Sequence, residues 1–534
     1  MSMTPALTMG DILRRIARRY PNREALIDGE VRLTYGEFNR RVNRLSHGFY
    51  RMGIRPGDVV SILSLNRHEY LEAYFGCAKL GCILNILNWR LTNDEIDLQC
   101  RLSKSRVLLL DHDLETQFSE VVMRVRERLV HVVIINGSPQ TGDNMDFDAL
   151  LQGESSEEPD ATRSQTGDPV LLLYTSGTTG SPKGALLTQE NFLWNGITFL
   201  YHAELTRKDK LLQPMPLCHV GGIHMLTAAF ILKGLPIVLE RTFSVDETLH
   251  LIQRERPTVL NILMAPLQLL LTAPELSQCD ASSLRLVLTA AAKYTREFCH
   301  EVIYKLGVDQ LIFGYGLTEA SPTVTLTEST AETIWKENSI GWPVWINEVR
   351  IVDAASEQEV AVGSVGELLV RGPNVFAGYF GQQGQTAKTL RDGWLWTGDY
   401  VREDEEGCLF FVDRRTDMVK TGGENVSATE VEIAILHCNG TLADAVVVGM
   451  PDPVWGEAIA AFCVVKPGQN TSEKEVCTNL RGYLASYKIP KAVYFVQDLP
   501  RSISGKVQKH ILRQQLSEGM GSTPPRADNT PTLG

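Results

Sequence analysis

Residues Val170–Asn191 read VLLLYTSGTTGSPKGALLTQEN. The apolar run Val170–Tyr174 predicts a buried strand, and Ala185–Leu187 predicts a second. Thr188 stands where the N-cap of a following helix belongs. Between the two runs, Thr175–Gly184 holds five hydroxyls, three glycines and one lysine in ten residues. Glycines let backbone N–H groups approach an anion closely. The hydroxyls add donors, and Lys183 adds a positive charge. This chemistry suits a polyphosphate. The spacing is not that of a Walker A loop, G-x-x-x-x-G-K-[ST], because Lys183 is followed by Gly184 and a strand. The plain alternative is a flexible Ser/Gly hairpin. Its place between two buried runs argues against that.

Working outward, short apolar runs alternate with helical patterns. Val107–Leu110 and Val130–Ile135 predict strands, and Asp246–Glu255 and Arg296–Leu306 predict helices. Near the N-terminus Ile12, Ile16 and Tyr20 recur at helical spacing behind Asp11, which predicts an amphipathic first helix. That alternation indicates layered α/β structure. The polar stretch Gln152–Gly167 is expected to be a surface loop. Charges cluster at Asp413–Asp417, and Gly422-Gly423 follows. Beyond lie strand-like runs at Ala445–Val448, Ile459–Val465 and Val493–Val496, with a helical stretch at Ser472–Leu484. Together they predict a small α+β domain. The Pro-, Gly-, Ser- and Thr-rich end of the chain is expected to be a disordered tail.

The chain has 534 residues, 43% apolar and 22% charged, the composition of a globular protein with more than one domain. A net charge of -12 disfavours nucleic acid and anionic lipid as partners. No apolar run reaches the roughly 18 residues of a membrane span. Ten cysteines include no C-x-x-C pair, so free thiols in a reducing compartment, the cytoplasm, are expected.

The loop Thr175–Gly184 closely resembles the phosphate-binding signature of the adenylate-forming superfamily: acyl-CoA synthetases, peptide-synthetase adenylation domains and beetle-type luciferases. Further resemblances span the chain. Phe313–Glu319 (FGYGLTE) resembles the adenine- and metal-side motif, and Gly393–Asp399 (GWLWTGD) the ribose motif. Asp413–Asp417 (DRRTD) resembles the hinge, with Thr416 where relatives carry Lys or Asp. Thr421–Val426 (TGGENV) resembles the loop lining the pantetheine channel, and Pro500–Val507 (PRSISGKV) the C-terminal catalytic-lysine motif. Pro216–Gly222 (PLCHVGG) resembles the acyl-pocket motif, with Cys218 in place of an aromatic. Ala290–Lys293 departs from the usual Gly-Gly-Ala-Pro.

This resemblance implies an α/β protein with a large N-terminal domain of packed sheets and helices, residues 1–414. A hinge at 415–417, a small mobile α+β C-terminal domain at 418–515 and a tail at 516–534 follow. It implies that Thr175, Ser176, Gly177, Thr178, Thr179, Gly180 and Lys183 hold the phosphates of ATP. Gly314, Tyr315 and Gly316 line the adenine, and Thr318 reaches a phosphate. Glu319 holds Mg²⁺, Asp399 and Arg414 meet the ribose, and Gly422, Gly423 and Glu424 face coenzyme A. Lys506, Thr175, Glu319 and His219 are the implied catalytic set. The implied reaction joins a small-molecule carboxylic acid to ATP as an acyl-adenylate, releasing pyrophosphate, and then transfers the acyl group to coenzyme A. A carrier protein or another acceptor is the alternative. The apolar stretch Ile262–Leu271 and the resemblance together favour a fatty or aryl acid.

Overall fold

The computed structural model describes residues 7–128, 131–139, 144–159, 164–175, 182–290, 294–330, 336–414, 417–421, 424–452, 456–481, 483–501 and 507–517. The expected tail therefore lies outside the described residues, apart from its first two positions. The chain divides into two compact units. One comprises Met1–Thr397 with Glu403–Phe410, and the other Gly398–Arg402 with Phe411–Gly534.

The larger unit is built on two extended sheets. In the first, the strand order is Gly378–Tyr379, Lys183–Thr188, Pro169–Thr175, Ile83–Leu87, Val59–Leu63, Val107–Asp111, His131–Ile135 and Met145–Asp146. Its central strands run parallel, and every residue of Val59–Leu63, Ile83–Leu87 and Val107–Asp111 is buried. Continuous apolar runs of this kind belong to sheets covered on both faces. The second sheet has the order Trp342–Pro343, Thr323–Ser329, Gln310–Gly316, Leu286–Ala290, Val259–Asn261, Leu211–Gln213, Ile237–Leu239, Glu24–Asp28 and Val31–Thr34. A third, antiparallel sheet uses Glu348–Val352, Val365–Arg371, Trp394–Glu403 and Leu390–Arg391, with Leu409–Arg414 beside Trp394–Glu403.

Local sequence fixes the helix starts. The helices Met9–Arg19, Tyr35–Arg51, Asn93–Ser103 and Gln189–His202 each begin on a reciprocal capping box, with Thr8, Thr34, Thr92 and Thr188 as caps. Each box satisfies backbone donors that the first turn would leave unpaired. The helix Met9–Arg19 buries Ile12 and Ile16, as the spacing predicts. Helices also form at Val245–Glu255 and Arg296–Leu306.

The polar stretch Gln152–Gly167 departs from expectation, because part of it is drawn inward. Glu158 accepts from Lys79 Nζ at 2.6 Å and from Asn39 Nδ2 at 2.7 Å, while Pro159 and Ser164 are buried. A buried lysine on the helix His68–Leu80 needs a counter-charge, and this loop supplies it.

The smaller unit carries its own sheet, ordered Glu424–Ser427, Met418–Thr421, Gly456–Val465 and Leu442–Asp452, with Ala492–Val496 beside Gly456–Val465. The helices Ala428–Cys438 and Glu473–Asn479 pack on its apolar cluster, which includes Val431, Ile435, Val447, Ile459 and Val476. The expected helical stretch Ser472–Leu484 is thus shorter than its pattern, with Ser472 as its N-cap. No helix among the described residues is long and apolar enough to cross a membrane, and all ten cysteines are unpaired.

Candidate active site

The phosphate-loop candidate is held at its two ends. Tyr174 pairs with Gly184, and Thr175 pairs with Lys183, across an antiparallel ladder. The Thr175 hydroxyl donates to the Lys183 carbonyl at 3.4 Å. An added Cβ at Gly184 would lie 2.8 Å from Leu172 Cδ1 and 3.1 Å from Tyr174, so those side chains would have to shift. Ser176, Gly177, Thr178, Thr179 and Gly180 lie outside the described residues. The strand Lys183–Thr188 runs on into the helix capped by Thr188, whose hydroxyl accepts from the Asn191 amide at 3.2 Å.

The segment 373–380 straps this hairpin to the turn Thr318–Ala320, which carries the metal-ligand candidate Glu319. Asn191 Nδ2 donates to the carbonyls of Pro373 and Val375, at 2.8 and 3.0 Å. The amide of Phe380 donates to Gly184 O at 2.7 Å, and that of Ala377 to Leu186 O at 2.9 Å. On the other side, Phe376 N donates to Glu319 O at 2.9 Å and Asn374 Nδ2 to Ala320 O at 2.9 Å. At the centre, the Tyr379 hydroxyl donates to Glu319 Oε1 at 2.7 Å, and Lys183 Nζ lies 5.7 Å from the Tyr379 ring centroid. Burial, with the Glu319 carboxylate beside it, holds the Tyr379 hydroxyl protonated far above its ordinary range. The structure therefore brings Thr175, Lys183 and Glu319 together, and Tyr379 joins them without any sequence signal having singled it out.

The strand Gln310–Gly316 presents Gly314, Tyr315 and Gly316 just before the turn Thr318–Ala320. Gly316 lies so close to the returning chain that a Cβ would fall 1.6 Å from Pro322 O. Leu317 N donates to the same carbonyl at 2.9 Å and Ser321 N to Thr318 O at 3.1 Å, so the turn carrying Thr318 and Glu319 is tightly closed.

The acyl-pocket candidate is equally constrained. Leu217 N donates to Asn66 Oδ1 at 2.7 Å, and a Cβ on Gly222 would lie 2.1 Å from Pro216 O. His219 is the N-cap residue of the short helix Val220–Ile223 and is half-buried. Five residues later, His224 is fully buried: its Nε2 meets the Tyr74 hydroxyl at 2.6 Å and its Nδ1 meets Ser321 Oγ at 2.9 Å. Burial lowers its pKa to about 3, so the ring is neutral. One nitrogen of a neutral ring donates and the other accepts, so a hydrogen-bonded chain Tyr74–His224–Ser321 forms in either tautomer. It joins the junction of the helices Val220–Ile223 and Met225–Lys233 to the residue after the turn Thr318–Ala320. A histidine at the junction of two short apolar helices gives no sequence cue to such a link.

In the smaller unit Asp399 is buried, with Arg414 Nε 3.0 Å from its Oδ1. The preceding Asp413 is held by Ser427 Oγ at 3.1 Å and Thr429 N at 3.1 Å. The ribose candidates Asp399 and Arg414 thus meet each other. Glu424 lies on the strand Glu424–Ser427. Gly422, Gly423, Thr416 and Lys506 lie outside the described residues, as do Ala291, Ala292 and Lys293.

The fold is that of an adenylate-forming enzyme, one that spends a nucleoside triphosphate to activate an acid. The chain belongs to the AMP-binding enzyme family, whose profile matches residues 13–380, while that of the AMP-binding enzyme C-terminal domain matches residues 430–506. It is 34% identical over 501 residues to a feruloyl-CoA synthase of Amycolatopsis sp, covering 94% of this chain and 97% of the other. It is 33% identical over 513 residues to an indoleacetate–CoA ligase of Aromatoleum aromaticum, covering 95% and 98%. The anthranilate CoA ligase AuaEII, solved with anthranoyl-AMP, superposes with a TM-score of 0.84 at 26% identity, covering 96% of this chain and 98% of that one. Activity of the acyl- or aryl-CoA ligase type, drawing on ATP, Mg²⁺ and coenzyme A, is the chemistry of this group.

Proposed function

We propose that this chain activates an apolar aryl or fatty carboxylic acid with ATP and passes it to coenzyme A. The observation that carries the reading is the convergence of Lys183, Tyr379 and Glu319 at the two ends of the Thr175–Gly184 hairpin. The relatives named for ferulate, indoleacetate and anthranilate support an aryl acid within that class.

In this reading the hairpin and Lys183 hold the triphosphate, and Asp399 with Arg414 receives the ribose hydroxyls. The donor set fits a hard cation: Tyr379 occupies one oxygen of Glu319, and a carboxylate oxygen is the type of ligand Mg²⁺ takes. Mg²⁺, when bound, offsets phosphate charge. The substrate carboxylate is already ionised, so it attacks the α-phosphorus without a protein nucleophile, and pyrophosphate leaves. Lys506 places positive charge where the reacting oxygens gather it, and His219 stands at the carboxylate end of the acyl pocket. The thiolate of coenzyme A then displaces AMP, with Gly422, Gly423 and Glu424 facing the thiol. The domain bounds 1–414, 415–417 and 418–515 belong to the same reading, as does a cytoplasmic location, which the ten unpaired cysteines support.

Pyrophosphate release across a panel of aryl, fatty and short branched acids, with and without coenzyme A, tests this. Acid-dependent pyrophosphate release, and AMP release that needs coenzyme A, are expected. AMP release only with an acyl-carrier protein would move the acceptor. A Lys506→Ala enzyme should lose adenylation by on the order of 100-fold, and adenylation at the normal rate would remove that lysine from the mechanism.

A further inference from the structure

Glu319 has two carboxylate oxygens, and the tyrosine that binds one of them also has Lys183 beside its ring. Left to itself, a carboxylate beside an ammonium turns to pair with it. No ion pair between Lys183 and Glu319 forms among the described residues. The Tyr379 ring stands beside Lys183 instead, with the ammonium 5.7 Å from the ring centroid, and its hydroxyl holds Glu319 Oε1 at 2.7 Å. Tyr379 is itself fixed on every side. Its strand Gly378–Tyr379 pairs with Lys183–Thr188, placing Tyr379 opposite Ala185. Its amide donates to Thr386 Oγ1 at 2.9 Å, and its ring meets Phe376 edge-on at 4.9 Å. Tyr379 is 8% exposed, so water does not readily replace its hydroxyl at Glu319.

We infer that Tyr379 is a positioning residue for the reaction: its hydroxyl fixes one oxygen of Glu319, which leaves the other aimed at the divalent cation of the nucleotide, and its ring keeps Lys183 apart for phosphate. The inference rests on the reading of Glu319 as the cation ligand. The same residue ties the cation side to the phosphate hairpin, since its backbone belongs to the hairpin's own sheet and its side chain to the metal-side turn. Loss of a hydrogen bond to a charged group is felt as roughly a tenfold or larger change in affinity.

The test uses the full-length chain with Mn²⁺ as the probe and α,β-methylene-ATP as the nucleotide, reading free Mn²⁺ by electron paramagnetic resonance. Wild type is expected to hold Mn²⁺ with the nucleotide, and Glu319→Gln to lose most of that affinity. Tyr379→Phe keeps the ring beside Lys183 and removes only the hydroxyl. It should weaken Mn²⁺ binding about tenfold while leaving metal-free nucleotide affinity, measured in EDTA, unchanged. In the Glu319→Gln background, Tyr379→Phe should add nothing, the signature of two residues acting through one contact. If wild type and Glu319→Gln bind Mn²⁺ alike, the reading of Glu319 falls and the inference with it. If Glu319→Gln loses Mn²⁺ but Tyr379→Phe binds as wild type does, the reading stands and the inference is overturned. An equal loss of metal-free nucleotide affinity in Tyr379→Phe, or an additive loss in the double variant, would also overturn it, since both belong to a residue that merely supports the fold.

Discussion

His224 is fully buried with its ring neutral, and acid is what it resists least well. Its pKa is about 3 in the folded chain and about 6.5 when solvated. The folded state therefore holds fewer protons than the unfolded state between those values. Its contribution to stability is full above about pH 6.5 and is lost as pH falls towards about 3, with a slope of up to about 1.4 kcal/mol per pH unit. A His224→Gln enzyme is expected to be less stable at pH 7 but to show a smaller fall in melting temperature between pH 7 and pH 5 than wild type. Equal falls in both would show that this ring does not carry the effect. Gly316 makes a second case at this scale. With Pro322 O 1.6 Å from the place of a Cβ, Gly316→Ala must push the turn of Thr318 and Glu319 aside. Nucleotide affinity, measured by calorimetry, is expected to fall at least tenfold, an effect of about 1.4 kcal/mol. The glycine is visible in the sequence, but the carbonyl that demands it is not, because Pro322 reaches it only after the chain has turned back.

Among elements, the helix His68–Leu80 shows what periodicity cannot convey. All of its residues are buried, charged ones included, so it has no polar face to read. Lys79 is inside because Asn39, Asn43 and Glu158 converge on its ammonium at 2.6–2.7 Å, and burial still lowers its pKa to about 8. Replacing Glu158 with Gln removes the counter-charge and leaves the ammonium on two amides. A loss of roughly 3 kcal/mol in urea unfolding is expected, and Lys79→Met in the same background should recover part of it. No recovery would mean that the stranded charge is not the cause. Strand and helix starts, by contrast, are written locally: Thr188 caps its helix because a hydroxyl at that position reaches Asn191 N, a contact spanning three residues. Sequence reading succeeded where the partners are this near. It missed Tyr379 and His224, whose partners lie 60 and 97 residues away.

At the scale of the whole molecule, the apolar cluster around Ile435 is drawn entirely from the smaller unit, between Val419 and Val493. Ile435→Ala is expected to cost that unit about 2–5 kcal/mol. Limited proteolysis followed by mass spectrometry should then cut within residues after Phe411 while fragments before Thr397 stay whole. Early cutting in both regions would show that the two cores stand or fall together. The chain enters the smaller unit at Gly398–Arg402, leaves it for Glu403–Phe410 and returns at Phe411. Recombination between relatives is constrained by that itinerary. A single crossover near Phe411 gives a chimera whose buried aspartate, Asp399, comes from one parent and whose partner, Arg414, comes from the other. Only an exchange that begins before Gly398 inherits the pair from one ancestor, so the smaller unit cannot be traded as a simple C-terminal cassette.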